Sequence, residues 1–221
     1  MSKIMVVAVH PDDETLGAGG TLLKHKAQKD ELVWVIVTGM PKKDYSSAQI
    51  KKREEEIKAV SREYGFDEVI RMDLPTTRLD EYVSRELVSL FAAVIQQVKP
   101  QTVYLPFAGD AHSDHQAVFN AAHACLKTFR APFVKKVYVM ETISETEFGQ
   151  KPGGELFAPN YFVDVSKYLE QKIEIMKFYQ SELAAHPFPR SVENMRALAT
   201  FRGATSGCRY AESFMLVKEI A

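Results

Sequence analysis

The stretch His10-Pro11-Asp12-Asp13-Glu14 follows directly on the apolar run Ile4-Met5-Val6-Val7-Ala8-Val9. Such a run reads as a buried strand, and in parallel α/β sheets ligands bind in the crevice outside the carboxyl ends of the strands. An imidazole and two carboxylates therefore converge on one turn. One carboxylate can share a divalent metal with the imidazole while the other stays free as a base, the division of labour that a metal-activated water requires. A capped turn, with one Asp holding the free amides of the next helix, is the competing reading. It uses one carboxylate and leaves the others idle.

A second cluster, Gly109-Asp110-Ala111-His112-Ser113-Asp114-His115, follows the apolar segment Thr102-Val103-Tyr104-Leu105-Pro106. With a helix starting near position 112, as Val118, Phe119, Ala122 and Leu126 indicate, His112 and His115 are i, i+3 neighbours on one face. Seen alone, two histidines beside an Asp are a capped helix start. Seen after two different strands of one chain, they point to a shared centre. His25 and His123 lie in helical patterns with no acidic partner at a useful spacing and read as surface or core residues.

These clusters need a scaffold of alternating strands and helices. Leu32–Gly39 is a second continuous apolar run, Glu68–Leu74 a short strand, and Val134–Thr142 and Tyr161–Val165 two more, with a last apolar run at Phe214–Val217. Between them, Gly17–Leu23 reads as a glycine-rich turn leading into a helix over Lys24–Asp30. Further helices are expected from Ser46 to Tyr64 with Gly65 as the stop, from an Asp80 cap to about Val98, from Ser166 to Tyr179 and from Val192 to about Phe201. On the second of these the buried stripe is Leu87, Leu90, Phe91, Val94, Ile95 and Val98. Glu145–Pro159 is a polar loop of a length that often covers a site. The fold expected is α/β: a Rossmann-like, mostly parallel sheet flanked by helices in three layers, as a single domain over 1–221. Gly17–Gly20 after a strand also raises a dinucleotide-binding module, but a third small residue is missing at Leu22.

With 28 Lys plus Arg against 29 Asp plus Glu, the charge is near balance and argues against nucleic-acid or acidic-membrane partners. Cys125 and Cys208 are far apart, so neither a disulfide framework nor a cysteine zinc site is expected. The opening residues lack a leader pattern and no apolar stretch reaches a membrane-spanning length, so a cytoplasmic protein is expected. Self-association is left open.

His10-Pro11-Asp12-Asp13-Glu14 with Gly19-Gly20-Thr21, together with Asp110-Ala111-His112-Ser113-Asp114-His115, resembles the paired signature of the PIG-L/LmbE-type zinc deacetylases. The resemblance extends to Arg53 and Glu56, which match that family's Arg-x-x-Glu helix, although local spacing alone reads them as a charged, solvated helix face. It also takes in Arg190-Ser191, Arg202-Gly203 and Tyr210-Ala211-Glu212-Ser213-Phe214, which are similar to the bacillithiol-pathway branch. The resemblance implies removal of acetyl from an N-acetylglucosamine-type sugar or conjugate, with His10, Asp13 and His115 as ligands of Zn2+; two His and one carboxylate can equally hold the Fe2+ of a non-haem oxygenase, which would give Asp12 and Asp114 no role. Asp12 would be the general base, and a protonated His112, oriented by Asp114, the oxyanion stabiliser or acid. Arg53, Glu14, His186 and Arg190 are the expected substrate contacts, the substrate being a small N-acetylated sugar. An amidase acting on another small N-acyl conjugate is the alternative activity. Two departures stand out: Ser113 replaces a usual proline, and Thr76-Thr77 replaces an Asp-Gly, removing a carboxylate expected to hold sugar hydroxyls.

Overall fold

The computed structural model describes residues 1–149 and 153–221. Seven strands, β1 (Lys3–Ala8), β2 (Glu31–Gly39), β3 (Glu68–Pro75), β4 (Thr102–Leu105), β5 (Lys136–Met140), β6 (Tyr161–Asp164) and β7 (Ala211–Glu219), form one sheet in the order β3-β2-β1-β4-β5-β7-β6. Neighbours from β3 to β5 pair in parallel, and β7 runs antiparallel between β5 and β6. The helices are α1 (Asp13–Ala27), α2 (Ser47–Tyr64), α3 (Ser84–Val98), α4 (Ser113–Cys125), α5 (Leu169–Met176) and α6 (Val192–Ser206).

Continuous apolar runs are what a strand covered on both faces requires, and β1 shows it residue by residue. Ile4, Val6 and Ala8 pack with α1, α2, α5 and α6, while Met5 and Val7 pack with α3 and α4 on the other face, giving three layers. Chain order reverses between β1 and β4, the point at which an open α/β sheet leaves a crevice. Both polar clusters of the sequence follow these two strands.

Several boundaries differ from expectation. Helix α1 begins at Asp13, so Gly17, Gly19 and Gly20 lie inside it and form no phosphate-cradling turn. Their smallness serves close packing: a Cβ at Gly17 would sit 2.9 Å from Met140, and one at Gly20 would sit 2.7 Å from Val165. That removes the basis for the dinucleotide reading. Asp80 caps no helix; it lies in a single 3-10 turn, Leu79–Glu81, and α3 starts later, after Val83. Of its expected stripe Leu87, Phe91, Ile95 and Val98 are buried, Leu90 is exposed and Val94 partly so, because the line of buried residues facing the sheet is one side chain wide. Ser166 does not cap α5, which follows Tyr168; its hydroxyl donates to Asp164 instead. Helix α6 runs on to Ser206, where Gly207 in the left-handed region ends it. Part of the Glu145–Pro159 loop, residues 150–152, lies outside the described residues. No described helix is long and apolar enough to cross a membrane.

His25 does have an acidic partner: Nδ1 lies 2.9 Å from Asp30 and Nε2 3.0 Å from the Tyr104 hydroxyl, tying the end of α1 to β4. Burial lowers its pKa below the ordinary value of 6.5, although Asp30 opposes the change. The unfolded chain therefore takes up this proton more readily, and stability is lost as pH falls through the interval between the ordinary value and the lower folded one. Urea melts from about pH 8 to about pH 5 are expected to show a smaller acid loss in His25→Gln than in the parent. Equal slopes would assign the acid sensitivity to other groups.

Candidate metal centre and its cleft

At the end of β1 the chain turns into α1 through Asp12, whose backbone sits at φ 147°, ψ −25°, a conformation that side-chain-bearing residues rarely adopt. The turn is held from inside. Asp13 Oδ2 accepts the His10 amide at 2.8 Å, and Glu14 Oε2 accepts the Asp12 amide at 3.2 Å. Glu14 also accepts hydrogen bonds from Thr15 and from the Tyr179 hydroxyl, 2.9 Å away. It is fully buried, and burial pushes its carboxyl up to about 7. It is absent from the cleft lining, and its hydrogen bonds tie it to the turn and to Tyr179.

At the end of β4, α4 begins after His112, whose Nδ1 accepts the Asp114 amide at 3.1 Å. That bond leaves the proton on Nε2, so a neutral His112 presents an N–H to the cleft. Burial and then neighbouring His10 lower the His112 pKa, a shift toward the neutral donor rather than the expected imidazolium. The Asp114 carboxylate does not orient this ring either. It accepts the amides of Thr77 and Leu79, at 2.7 and 3.0 Å, and lies 3.4 Å from His10 Nε2. Thr77, with φ 61°, thus belongs to the loop that steadies Asp114 and His10.

His10, Asp13 and His115 bring one ligand atom each to within 4.8 Å of one another, and so do His10, His112 and Asp114. The first set fits a divalent ion better. His115 Nε2 is buried without a hydrogen-bond partner among the described residues, 3.4 Å from Asp13 Oδ2. Its Nδ1 is engaged by Asp110 at 2.8 Å, and Asp110 in turn accepts from Thr146 at 2.6 Å. A carboxylate behind a histidine fixes the tautomer that leaves the other nitrogen free to ligate. In the second set both oxygens of Asp114 already serve backbone amides. Electrostatics agree: burial works against a charged His115, yet Asp13 and Asp110 hold its pKa well above the ordinary value. Burial likewise opposes the Asp13 carboxylate, but His115 and His10 hold it down to about 2. Both shifts favour a positive charge beside the Asp13 and Asp110 carboxylates.

Asp12 lines the cleft beside this centre. Its burial, and then the proximity of Asp13 and Glu182, push its carboxyl well above the usual range. A cation held by the flanking residues lowers it again. The cleft has a volume of about 870 Å³ and extends from His10 and His112 to Arg53, Glu182 and Arg190. Arg53 is not on a solvated face: Nη1 donates to the Pro11 carbonyl at 2.9 Å, Nε lies 3.2 Å from Glu56, and Nη2 pairs with Glu182. Arg190 reaches the other Glu182 oxygen at 3.2 Å and the Ser144 hydroxyl at 3.0 Å. His186 is exposed and takes no part in the lining, because the proline-rich segment carries it out to solvent. Asp110 and Glu182 had no role in the sequence reading. An i, i+5 Asp–His spacing at a helix start was a signal for the first; nothing local marks the second, which lies 129 positions from Arg53.

The chain is similar to known proteins over most of its length. The diacetylchitobiose deacetylase of Thermococcus kodakarensis is 24% identical over the whole of this chain and 85% of its own length. The Bacillus anthracis protein named probable N-acetyl-alpha-D-glucosaminyl L-malate deacetylase 2 is 24% identical over 82% of this chain and 81% of its own. Among solved structures, the conserved protein TT1542 from Thermus thermophilus superposes with a TM-score of 0.77 at 27% identity, covering 100% of this chain and 97% of that one. A family model described as PIG-L: GlcNAc-PI de-N-acetylase matches residues 5–126, a span that holds most of β1, all of β4 and every residue of the candidate metal centre. The chain therefore belongs to the PIG-L family of de-N-acetylases.

Proposed function

We propose that this protein is a metal-dependent hydrolase that removes the N-acetyl group from an N-acetylglucosamine-type sugar or conjugate. The observation that carries the reading is the buried, unpartnered Nε2 of His115 facing Asp13, with Asp12 alongside in an open cleft. His10, Asp13 and His115 would hold the ion, Zn2+ in the first instance and Fe2+ as the alternative. Such an ion supplies an acidified water and a polarised carbonyl.

The protein groups supply the rest. Asp12 accepts the proton of the attacking water as the water oxygen bonds to the acetamide carbon. The Nε2–H of His112 donates to the oxygen on which negative charge develops, a contribution of about 3 kcal/mol for one well-placed donor. When the carbon–nitrogen bond breaks, Asp12 returns its proton to the nitrogen, giving acetate and a free amine. Asp110 holds His115 in its ligating tautomer throughout. The cytoplasmic location expected from the sequence is kept as part of this proposal.

The test is a panel of N-acetylated sugars and conjugates incubated with Zn2+-loaded protein, with acetate and free amine both measured. One acetate per amine is expected, activity should vanish on chelation and return with metal, and His115→Ala should lose bound metal as measured by elemental analysis. Metal-replete protein that releases no amine from any member of the panel would sink the reading.

A further inference from the structure

The two deacetylase relatives are named for different substrates, one a neutral disaccharide and the other a conjugate carrying the carboxylates of malate. We infer that Glu182 tunes this cleft toward neutral N-acetylated saccharides, by occupying the arginine pair that would otherwise receive an anionic aglycone. The inference rests on the deacetylase reading above and concerns the same cleft.

Arg53 and Arg190 meet on one carboxylate. Glu182 Oε1 takes Arg53 Nη2, Oε2 takes Arg190 Nη2, and the Glu182 carbonyl takes Arg190 Nε at 3.0 Å. Every nitrogen of the two guanidinium groups already has an acceptor or a carboxylate neighbour, through Pro11, Ser144, Ser181 and Glu56. The side chains of Arg53, Glu182 and Arg190 are 16, 22 and 22% exposed, so water does not screen this arrangement as it would on an open surface. Burial would raise the Glu182 carboxyl, but Arg53 and Arg190 hold it below its ordinary value, so it is ionised at neutral pH. It stands where a substrate carboxylate or phosphate would stand.

The same compensation recurs along the wall. Arg71 pairs with Glu54 and, at 3.1 Å, with Asp73. Of the four cationic residues in the lining only exposed Lys42, at the rim, has no carboxylate partner among the described residues, against six carboxylates. A divalent ion at the metal centre would offset the excess of carboxylates in this lining, and its three arginines are all paired. Two of the three clamp residues, Glu182 and Arg190, follow the segment matched by the family, while Arg53 lies within it.

An anion arriving here must displace Glu182, and charge-assisted arginine pairs of this type are strong. Removing the negative charge while keeping the shape leaves two guanidinium groups facing the cleft. The experiment compares kcat/KM of the Zn2+-loaded enzyme for N,N′-diacetylchitobiose and for N-acetylglucosaminyl malate, in the parent, Glu182→Gln and Glu182→Asp. The parent is expected to favour the neutral substrate, and Glu182→Gln to shift the ratio about tenfold or more toward the malate conjugate, equivalent to about 1.4 kcal/mol. Glu182→Asp, which keeps the charge but shortens its reach, should move the ratio in the same direction by less, and serves if the first variant does not fold. L-malate alone should raise the melting temperature of Glu182→Gln but not of Glu182→Gln/Arg190→Gln, which excludes binding at the metal. A parent that prefers the malate conjugate, or a ratio that stays within threefold in every variant, overturns the inference. If neither substrate is cleaved by the parent, the deacetylase reading has failed, and the malate titration decides the arginine-pair assignment by itself.

Discussion

Asp12→Asn is expected to lower acetate release by about 10²–10⁴-fold while leaving metal content unchanged. His10, Asp13 and His115 remain in place in this variant, and only the carboxylate that takes the water's proton is gone. The folded state should gain rather than lose. Asp12, Asp13 and Glu14 are three consecutive carboxylates, all buried, and the Asp12 carboxyl is pushed well above its usual range by that burial and by Asp13. Ionisation at neutral pH is thus a cost that the amide does not carry. Asp12→Gly goes further, because glycine adopts φ 147° freely whereas a strained residue costs about 1–3 kcal/mol. Urea melts of metal-free protein should therefore rank glycine above aspartate in stability, and acetate assays should rank them in reverse. Retained turnover in Asp12→Asn would remove Asp12 as the base. A melt in which glycine is less stable than aspartate would mean that the carboxylate supports the turn rather than burdening it.

What the sequence made legible follows from how far each kind of signal reaches. Runs such as Ile4–Val9 and Leu32–Val37 carry no polar residue for either face, so their burial as central parallel strands was readable from one segment at a time. Parallel strands then place their carboxyl ends on one edge, which brings His10 and Asp13 to His115 without any knowledge of side-chain contacts. Partners chosen by tertiary approach were out of reach. Asp114 lies close to His112 in sequence, but its carboxylate turns to the Thr77 and Leu79 amides of a different loop. Glu14 shares a turn with the catalytic candidates yet points inward to Tyr179, and helical phase alone cannot tell that from pointing to substrate. Glycines inside α1 resembled a turn because glycine marks close approach and turn alike, and only the positions of Met140 and Val165 decide between them.

The largest stability effect is expected well away from the metal, at Glu212. The closing segment Tyr210–Phe214 resembled part of a family signature, and its acidic residue contributes nothing to the cleft lining. Instead its two oxygens accept the amides of Gly20 and Thr21, at 2.8 and 2.7 Å, in the middle of α1. Lys172 of α5, itself buried, pairs with the same carboxylate at 2.7 Å and donates to the Leu16 carbonyl at 2.8 Å. An ion pair from β7 and α5 is thus wedged against the backbone of the helix whose first residues are Asp13 and Glu14. Gly20 explains the access, since a Cβ there would lie 3.3 Å from Glu212 Oε1 as well as against Val165. Glu212→Ala strands a buried ammonium and two helix amides together, and breaking a buried pair from one side costs about 3–5 kcal/mol. In a chain of this length that lowers the melting temperature by roughly 10 °C. Lys172→Met combined with Glu212→Gln should recover much of the loss, because the amide oxygen still accepts from α1 and no charge is left unpaired. A cost below about 1 kcal/mol for Glu212→Ala would show that water reaches Lys172 and that the pair does not anchor α1. A full cost with no recovery in the double variant would instead assign the stability to packing of the Lys172 stem, which lies within 2.9 Å of the Cβ that Gly19 lacks. In both the ion-pair and the packing case, the turn that presents Asp12 and Asp13 rests on a helix whose footing comes from β7 and α5, at the far end of the chain.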